Sequence, residues 1–320
     1  MKITYTLFLS LLLSTVLYAQ KTIHLPNGVK DESLPINVSG IQIINAVGDS
    51  SLLGYVQTGM FNRWTEAVPD IELTPFLQSF VNRRYGSYFK SDAPQLVFII
   101  QDLRINERTF TMSEKAFLHI KALAFIGNES FKMLTKLDTV FERGGMDVTH
   151  KHGDNIAAAL HMLFKKAADF SPSGQEYSSA ALVEKANELY QKPAFTSDKH
   201  EDGIYVTFEE YLNDQPSIKD VNSKATVNFW GVRKNGMLFK NYDDHLIPLE
   251  MKQRSIALTG YIPAARRKNN FMLLGATGGI VGSMIMDETY QLPVVTNIPT
   301  ITKKTPQATT VDIETGEFTL

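Results

Sequence analysis

The stretch that decides the fold runs from residue 117 to residue 141 and reads FLHIKALAFIGNESFKMLTKLDTVF. Its first part is largely apolar, with His119 and Lys121 on one face of the predicted strand. Gly127-Asn128 follows, and both residue types tolerate the positive φ angles of a hairpin turn. From Phe131 to Phe141 apolar and polar residues alternate, which is typical of a strand with one buried face. The stretch therefore predicts a β-hairpin.

The segments around this hairpin complete a domain. Leu96–Ile100 is a continuous apolar run, which favours a central strand covered on both faces. Thr74-Pro75 predicts a helix start, with Thr74 as the cap. A second helix is predicted from Asn155 to about Phe170, with Asp154 as its cap and an apolar stripe at helical spacing. This stripe consists of Ile156, Leu160, Leu163, Phe164 and Ala167. The order predicts an α+β domain over residues 20–172, an antiparallel sheet with two packed helices.

Four segments of this domain resemble the periplasmic auxiliary domains of bacterial envelope transport and secretion systems. They are Thr74–Phe80, Leu96–Ile105, Ala116–Gly127 and Asn155–Ala168. The resemblance implies a location in the cell envelope and a role that depends on contact. It does not imply a particular chemistry, because one fold serves many functions.

The second part of the chain predicts shorter elements than the first. Residues 173–200 predict a helical linker, in which Ser179–Gln191 forms a short amphipathic helix that ends at Pro193. Residues 201–320 predict a small β-rich domain, because Lys234-Asn235-Gly236 and Thr315-Gly316 are hairpin signals between short apolar runs.

Three stretches of this β-rich part resemble a recurring group of uncharacterised secreted proteins of Gram-negative bacteria. They are Gly203–Pro216, Trp230-Gly231 and Val311–Gly316. The resemblance implies no activity.

The first nineteen residues are typical of a secretory signal peptide. Lys2 supplies the positive start, Ile3–Leu17 is mostly apolar, and Ala19 offers a small residue before a cleavage site. The apolar run is shorter than the ~20 residues of a comfortable membrane span. We expect an exported protein in the periplasm or at the outer membrane, and an uncleaved anchor is the alternative.

Composition excludes several classes of protein. The chain has no cysteine, which rules out a disulfide scaffold, a thiolate zinc site and a catalytic cysteine. Its 32 basic residues are balanced by 34 acidic ones. This balance argues against a nucleic-acid binder that works by bulk charge.

A candidate metal site lies at His150-Lys151-His152-Gly153-Asp154. Two imidazoles two residues apart on an extended segment can reach one cation, and a carboxylate can complete the site. Thr149–Asp154 resembles the metal-binding turn of the metallo-β-lactamase superfamily, although Asn155 stands where a histidine is expected. A metal-dependent hydrolase using His150, His152 and Asp154 is therefore the alternative function. The other interpretation is a solvated loop that binds no metal.

Two further features allow a role in binding. Phe271–Met286 has no charged residue, and its glycines recur at a spacing of four, which suits close helix contacts in a membrane. As a helix it would be ~24 Å long, short of a ~30 Å hydrocarbon core. It is either a segment that contacts a membrane or forms oligomers, or a buried glycine-rich element. The aromatics around Trp230 are either a binding face for a glycan or peptide, or a core.

The sequence thus favours an exported cell-envelope protein that binds or scaffolds, with no catalysis and no cofactor. The expected partner is an envelope protein or the membrane surface, and residues 271–286 allow an oligomer. The sequence does not identify the ligand.

Overall fold

The computed structural model describes residues 20–27, 37–58, 63–110, 113–221, 228–242, 245–259, 272–273 and 307–320. The predicted signal peptide at residues 1–19 and most of the apolar segment 271–286 lie outside the described residues. The described chain contains both helices and sheets, so the broad α+β prediction is confirmed. No helix within the described ranges is long and apolar enough to cross a membrane.

The first large sheet is mixed, whereas the sequence predicted an antiparallel one. Its strands are β1 Lys21–Ile23, β2 Gly40–Asn45, β3 Gly54–Thr58, β4 Arg63–Pro69, β5 Gln95–Phe110, β6 Ser113–Gly127, β7 Phe131–Gly145 and β8 Ser173–Tyr177. The order is β1-β4-β3-β5-β6-β7-β8, and β2 also pairs with β5. The β1–β4, β2–β5 and β3–β5 pairs are parallel, while β5, β6 and β7 form an antiparallel meander. The predicted hairpin is confirmed. Strand β8 lies where a linker was predicted.

Two helices, α1 Leu73–Tyr85 and α2 Lys151–Asp169, pack on one side of this sheet. We call it the helix face, since it carries the strand residues that contact these helices, including Leu118 and Ile120. The predicted apolar stripe of α2 is buried, as expected. Both predicted caps are wrong. Thr74 lies inside α1, which Glu72 precedes, and Asp154 lies in the first turn of α2, which begins four residues earlier than predicted.

The second part of the described chain forms a seven-stranded sheet with three short α-helices and the 3-10 helix Glu188–Gln191. The α-helices are α3 Ser179–Asn187, α4 Pro193–Thr196 and α5 Phe208–Leu212. The strands are β9 Gly203–Tyr205, β10 Gly231–Lys234, β11 Met237–Tyr242, β12 His245–Lys252, β13 Ser255–Leu258, β14 Met272–Leu273, β15 Gln307–Ala308, β16 Thr310–Val311 and β17 Phe318–Thr319. All but β14 and β15 belong to this sheet, in the order β17-β16-β13-β12-β11-β10-β9. Gly236 and Gly316 have φ angles of 76° and 71°, which confirms both predicted turns.

The second sheet and α3 cover the other side of the first sheet, which we call the cleft face. Leu182 of α3 packs with Val97 and Phe125 in one apolar cluster. The backbone N–H of Arg254 donates to the carbonyl of Gly48 across 3.0 Å. The two halves are therefore in direct contact, and the central strands β5 and β6 are largely buried on both sides, whereas β7 keeps exposed side chains on its cleft face.

Candidate functional site

A cleft of about 400 Å³ lies between the cleft face and the second part of the chain. Residues from β5, β6 and β7 form one wall, and α3, β8, β13 and the turn between β16 and β17 form the others. A volume of this size is within the range of small-molecule sites, about 300–1,000 Å³. The cleft is therefore the candidate site.

His119 of β6 lies beside the cleft, between two carboxylates that line it. Its Nδ1 is 2.8 Å from Asp102 and its Nε2 is 2.9 Å from Asp138. Burial alone would lower the pKa of His119, but the hydrogen bonds with both carboxylates outweigh burial and raise that pKa to about 9. The hydrogen bond from His119 in turn lowers the pKa of Asp138. At neutral pH His119 is thus an imidazolium that donates on both sides.

Lys121, two residues along the same strand, connects the two halves of the chain. Its Nζ is 2.9 Å from Asp312 and 2.7 Å from Glu314. Burial would lower the pKa of Lys121, but the hydrogen bonds with Glu314 and Asp312 raise it. Burial would likewise raise the pKa of Asp312, but the hydrogen bond from Lys121 contributes to lowering it. The Thr319 hydroxyl, also from the second half, is 3.1 Å from His119 Nδ1.

Arg254 and Tyr190 close one end of the cleft. The Arg254 guanidinium lies 4.2 Å from the centre of the Tyr190 ring, and it donates to Asn187 across 2.6 Å. The Tyr190 hydroxyl donates to the carbonyl of Ala46 across 2.9 Å. Burial raises the pKa of Tyr190 to about 12, so this hydroxyl stays protonated near neutral pH. These groups hold the end wall in one geometry.

The remaining wall contains apolar side chains, and the rim carries the lysines Lys136 and Lys185 together with the carboxylate of Glu188, which lies 3.9 Å from Lys185. Leu123 and Tyr177 line the cleft. The Lys185 ammonium lies 5.6 Å from the centre of the Tyr177 ring, a favourable cation–π distance. Lys136 is exposed at the rim and makes no direct ion pair within the described part of the chain. The arrangement offers apolar surface beside positive charge.

The structure places the three candidate metal ligands away from the cleft, and it buries His152 apart from His150 and Asp154. His150 is exposed at the N-cap of α2, His152 is buried, and Asp154 follows in the first turn. The predicted extended segment is wrong, and residues two apart on a helix do not face each other. Across the described ranges no group of three His, Asp or Glu residues could hold a metal ion.

His152 has a partner that the sequence did not reveal. Its Nε2 is 3.0 Å from Glu107 Oε1, and both side chains are at most 1% exposed. Glu107 Oε2 also accepts from the backbone N–H of Gln57 across 2.7 Å. This pair lies on the helix face of the sheet, so it belongs to the core of the first half.

The aromatic cluster around Trp230 is a core, as one of the two predicted interpretations held. Tyr205 and Tyr211 are fully buried and Trp230 is 7% exposed. The ring centres of Tyr211 and Trp230 are 4.7 Å apart. Trp230 Nε1 donates to the carbonyl of Gly316 across 2.9 Å, which fixes the turn that carries Glu314. Tyr205, Tyr211 and Trp230 therefore do not form an exposed face for a glycan.

The sequence did not predict the carboxylates that pair with His119 and Lys121. His119 and Lys121 were placed on one face of a largely apolar strand, which is the available signal for a buried polar face. Their carboxylate partners come from β5, β7 and the end of the chain. Asp312 is 191 residues from Lys121, and no local pattern links them.

No family model matches the chain, and no curated protein matches it. Among solved structures, the chain is similar to a protein from Xanthomonas campestris described by the family model DUF330. The two chains are 9% identical, the TM-score is 0.27, and the match covers 53% of this chain and 96% of that chain. A TM-score this low does not establish a shared fold.

Proposed function

We propose that the chain is an exported cell-envelope protein that acts by binding or scaffolding, without catalysis. The observation that carries this proposal is the pairing of the cleft's central charges. His119 is held between Asp102 and Asp138, and Lys121 between Asp312 and Glu314. A general base needs a free lone pair near the working pH, and a doubly hydrogen-bonded imidazolium has none. These charges hold the walls of the cleft.

The ligand that fits the cleft best is a small amphipathic anion. Leu123 and Tyr177 supply apolar surface, and Lys136 and Lys185 supply positive charge at the rim, where Glu188 lies 3.9 Å from Lys185. Apolar walls with a few placed polar groups are the usual composition of small-molecule sites. An acyl chain with a carboxylate or phosphate head has this chemistry, and such molecules are abundant in a cell envelope.

A dansyl-labelled undecanoic acid tests this proposal by fluorescence titration. We expect saturable binding with one site per chain. Lys185→Glu should weaken binding about tenfold, because it places a negative charge beside the bound carboxylate. The matched control is Lys166→Glu, since Lys166 is exposed on α2, at the opposite face of the sheet. Binding that is not saturable, or that both variants weaken equally, would contradict the cleft as the binding site.

The proposed location is tested by fractionation of a Gram-negative host. We expect the full chain in the envelope fraction, and we expect deletion of residues 1–19 to retain it in the cytosol. If residues 271–286 contact a membrane or an envelope partner, their deletion should shift the protein from the membrane pellet to the soluble periplasm. A full-length chain that stays in the cytosol would exclude export.

A further inference from the structure

Strand β7 has one edge that is mostly open. It pairs with β6 along its whole length, from Phe131 to Gly145. On its other edge β8 pairs only with Phe131, Lys132 and Met133. Between residues 134 and 145 this edge has no strand partner among the described residues. An open edge presents unpaired backbone N–H and C=O groups that can accept another strand.

The side chains along this edge are accessible and the strand is regular. Val140 is 41% exposed, and the side chain of Asp138 is 48% exposed. The segment contains no proline, and its pairing with β6 is regular from Thr135 to Gly145, beyond a register shift at Leu134. Proline and bulges are among the features that usually protect edges from pairing. This edge therefore suits the addition of a strand.

The sequence of the edge is complementary to itself in one antiparallel register. With a two-fold axis at Thr139, Lys136 lies opposite Glu142 of the second copy, twice by symmetry. Leu137 then lies opposite Phe141 of the second copy, on the helix face. Opposite charges in directly facing pairs stabilise a sheet, and apolar pairs do the same.

The two neighbouring registers are unfavourable. An axis at Asp138 places this carboxylate opposite its own copy, and an axis at Val140 places Asp138 opposite Glu142. Like charges directly opposite each other destabilise a sheet. A two-fold axis between two residues would place residues from opposite faces of the sheet across from each other, because side chains alternate along a strand.

We propose that β7 pairs antiparallel with β7 of a second copy of this chain, about a two-fold axis at Thr139. The pairing joins the two first sheets into one continuous sheet. Such a contact is isologous, which is the commonest form of symmetric dimer. It does not depend on what the cleft binds.

Sedimentation velocity of the full chain, and of residues 20–320, tests the dimer over a wide concentration range. We expect a reversible monomer–dimer equilibrium. Lys136→Glu should weaken it about tenfold, because two facing pairs become repulsive. Adding Glu142→Lys should restore most of the affinity, although Glu142 also pairs with Lys115 of its own chain. The control Lys165→Glu, an exposed change on α2, should leave the equilibrium unchanged.

A single cysteine gives a second, geometric test, since the chain has none of its own. In the proposed register the two Thr139 Cα atoms lie about 4.5–5.5 Å apart, within the range of a disulfide. Thr139→Cys should therefore form a covalent dimer on mild oxidation, and Lys165→Cys should not. A chain that is monomeric at every concentration overturns the proposal. So does a dimer that Lys136→Glu leaves unchanged, or equal cross-linking of the two cysteine variants.

Discussion

Two buried histidines lie on opposite faces of the same sheet, and they are stabilised in different ways. His152 comes from α2 and pairs with Glu107 on the helix face, where both side chains are at most 1% exposed. His119 comes from β6 and pairs with Asp102 and Asp138 on the cleft face, where the side chain of Asp138 is 48% exposed.

The difference shows which parts of the molecule each pair holds together. Every partner of the His152–Glu107 pair belongs to the first half of the chain. The cleft-face residues His119 and Lys121 also contact Thr319, Asp312 and Glu314, which belong to the second half. Loss of the first pair should therefore destabilise the first sheet. Loss of the second network should mainly weaken the contact between the halves.

The largest effect is expected for Glu107→Ala. The variant leaves His152 Nε2 and the backbone N–H of Gln57 buried without their acceptor. Breaking a fully buried pair in this way costs about 3–5 kcal/mol of unfolding free energy. Urea denaturation measures the loss. The control is Glu142→Ala, which removes a solvent-exposed pair with Lys115 and should cost less than about 1 kcal/mol. Equal losses in the two variants would refute the structural role of the His152–Glu107 pair.

The next effect is a pH dependence of stability that His119 on the cleft face should produce. Its pKa is about 9 in the folded protein, against an ordinary value of 6.5. Because the folded pKa is the higher one, the stability from protonated His119 is fully present below pH 6.5. It is lost as the pH rises through about 9. At about 1.4 kcal/mol per pKa unit, the loss approaches about 3 kcal/mol.

Urea denaturation of wild type and His119→Gln from pH 6 to pH 10 checks this expectation. Lysines and tyrosines also titrate at the upper end of the range, and the variant retains those groups. We expect the free energy of unfolding of wild type to fall more steeply than that of His119→Gln. Parallel curves would mean that His119 is not an imidazolium held by its carboxylates.

The elements that the sequence predicted well are those with a local signal. The alternation of Lys136 and Asp138 with Leu137 indicated one buried face of β7, and Asn235-Gly236 indicated a hairpin. The apolar stripe of α2 also lies within one continuous segment. In each case residues that are close in sequence determine the structure, through the two-residue period of a strand, the turn, or the helical spacing.

The parts that the sequence did not predict depend on distant residues. Strand β5 continues to Phe110, well beyond the apolar run Leu96–Ile100 from which a strand was predicted, and it includes the polar residues Arg104 and Asn106. Both side chains are buried, Arg104 at 3% exposure, because other parts of the chain cover them. The spacing of His150 and His152 suggested an extended metal-binding segment. In the structure His152 lies in a helix and pairs with Glu107, which is 45 residues away in the sequence.

The smallest effect compares the two carboxylates that hold His119. Asp102 has a 17% exposed side chain and also lies 3.6 Å from the Arg104 guanidinium, whereas Asp138 is 48% exposed. We expect Asp102→Ala to cost about 2 kcal/mol and Asp138→Ala less than about 1 kcal/mol, because water can replace the exposed partner but not the buried one. Urea denaturation gives both values, and NMR titration should show a lower pKa of His119 in each variant. Equal destabilisation of the two variants, with a lower pKa of His119 in both, would contradict this expectation. The stability of the cleft face would then depend on the number of carboxylates around His119 and not on their burial. His119 and His152 would then differ in the number of their carboxylate partners and not in the access of water to those partners.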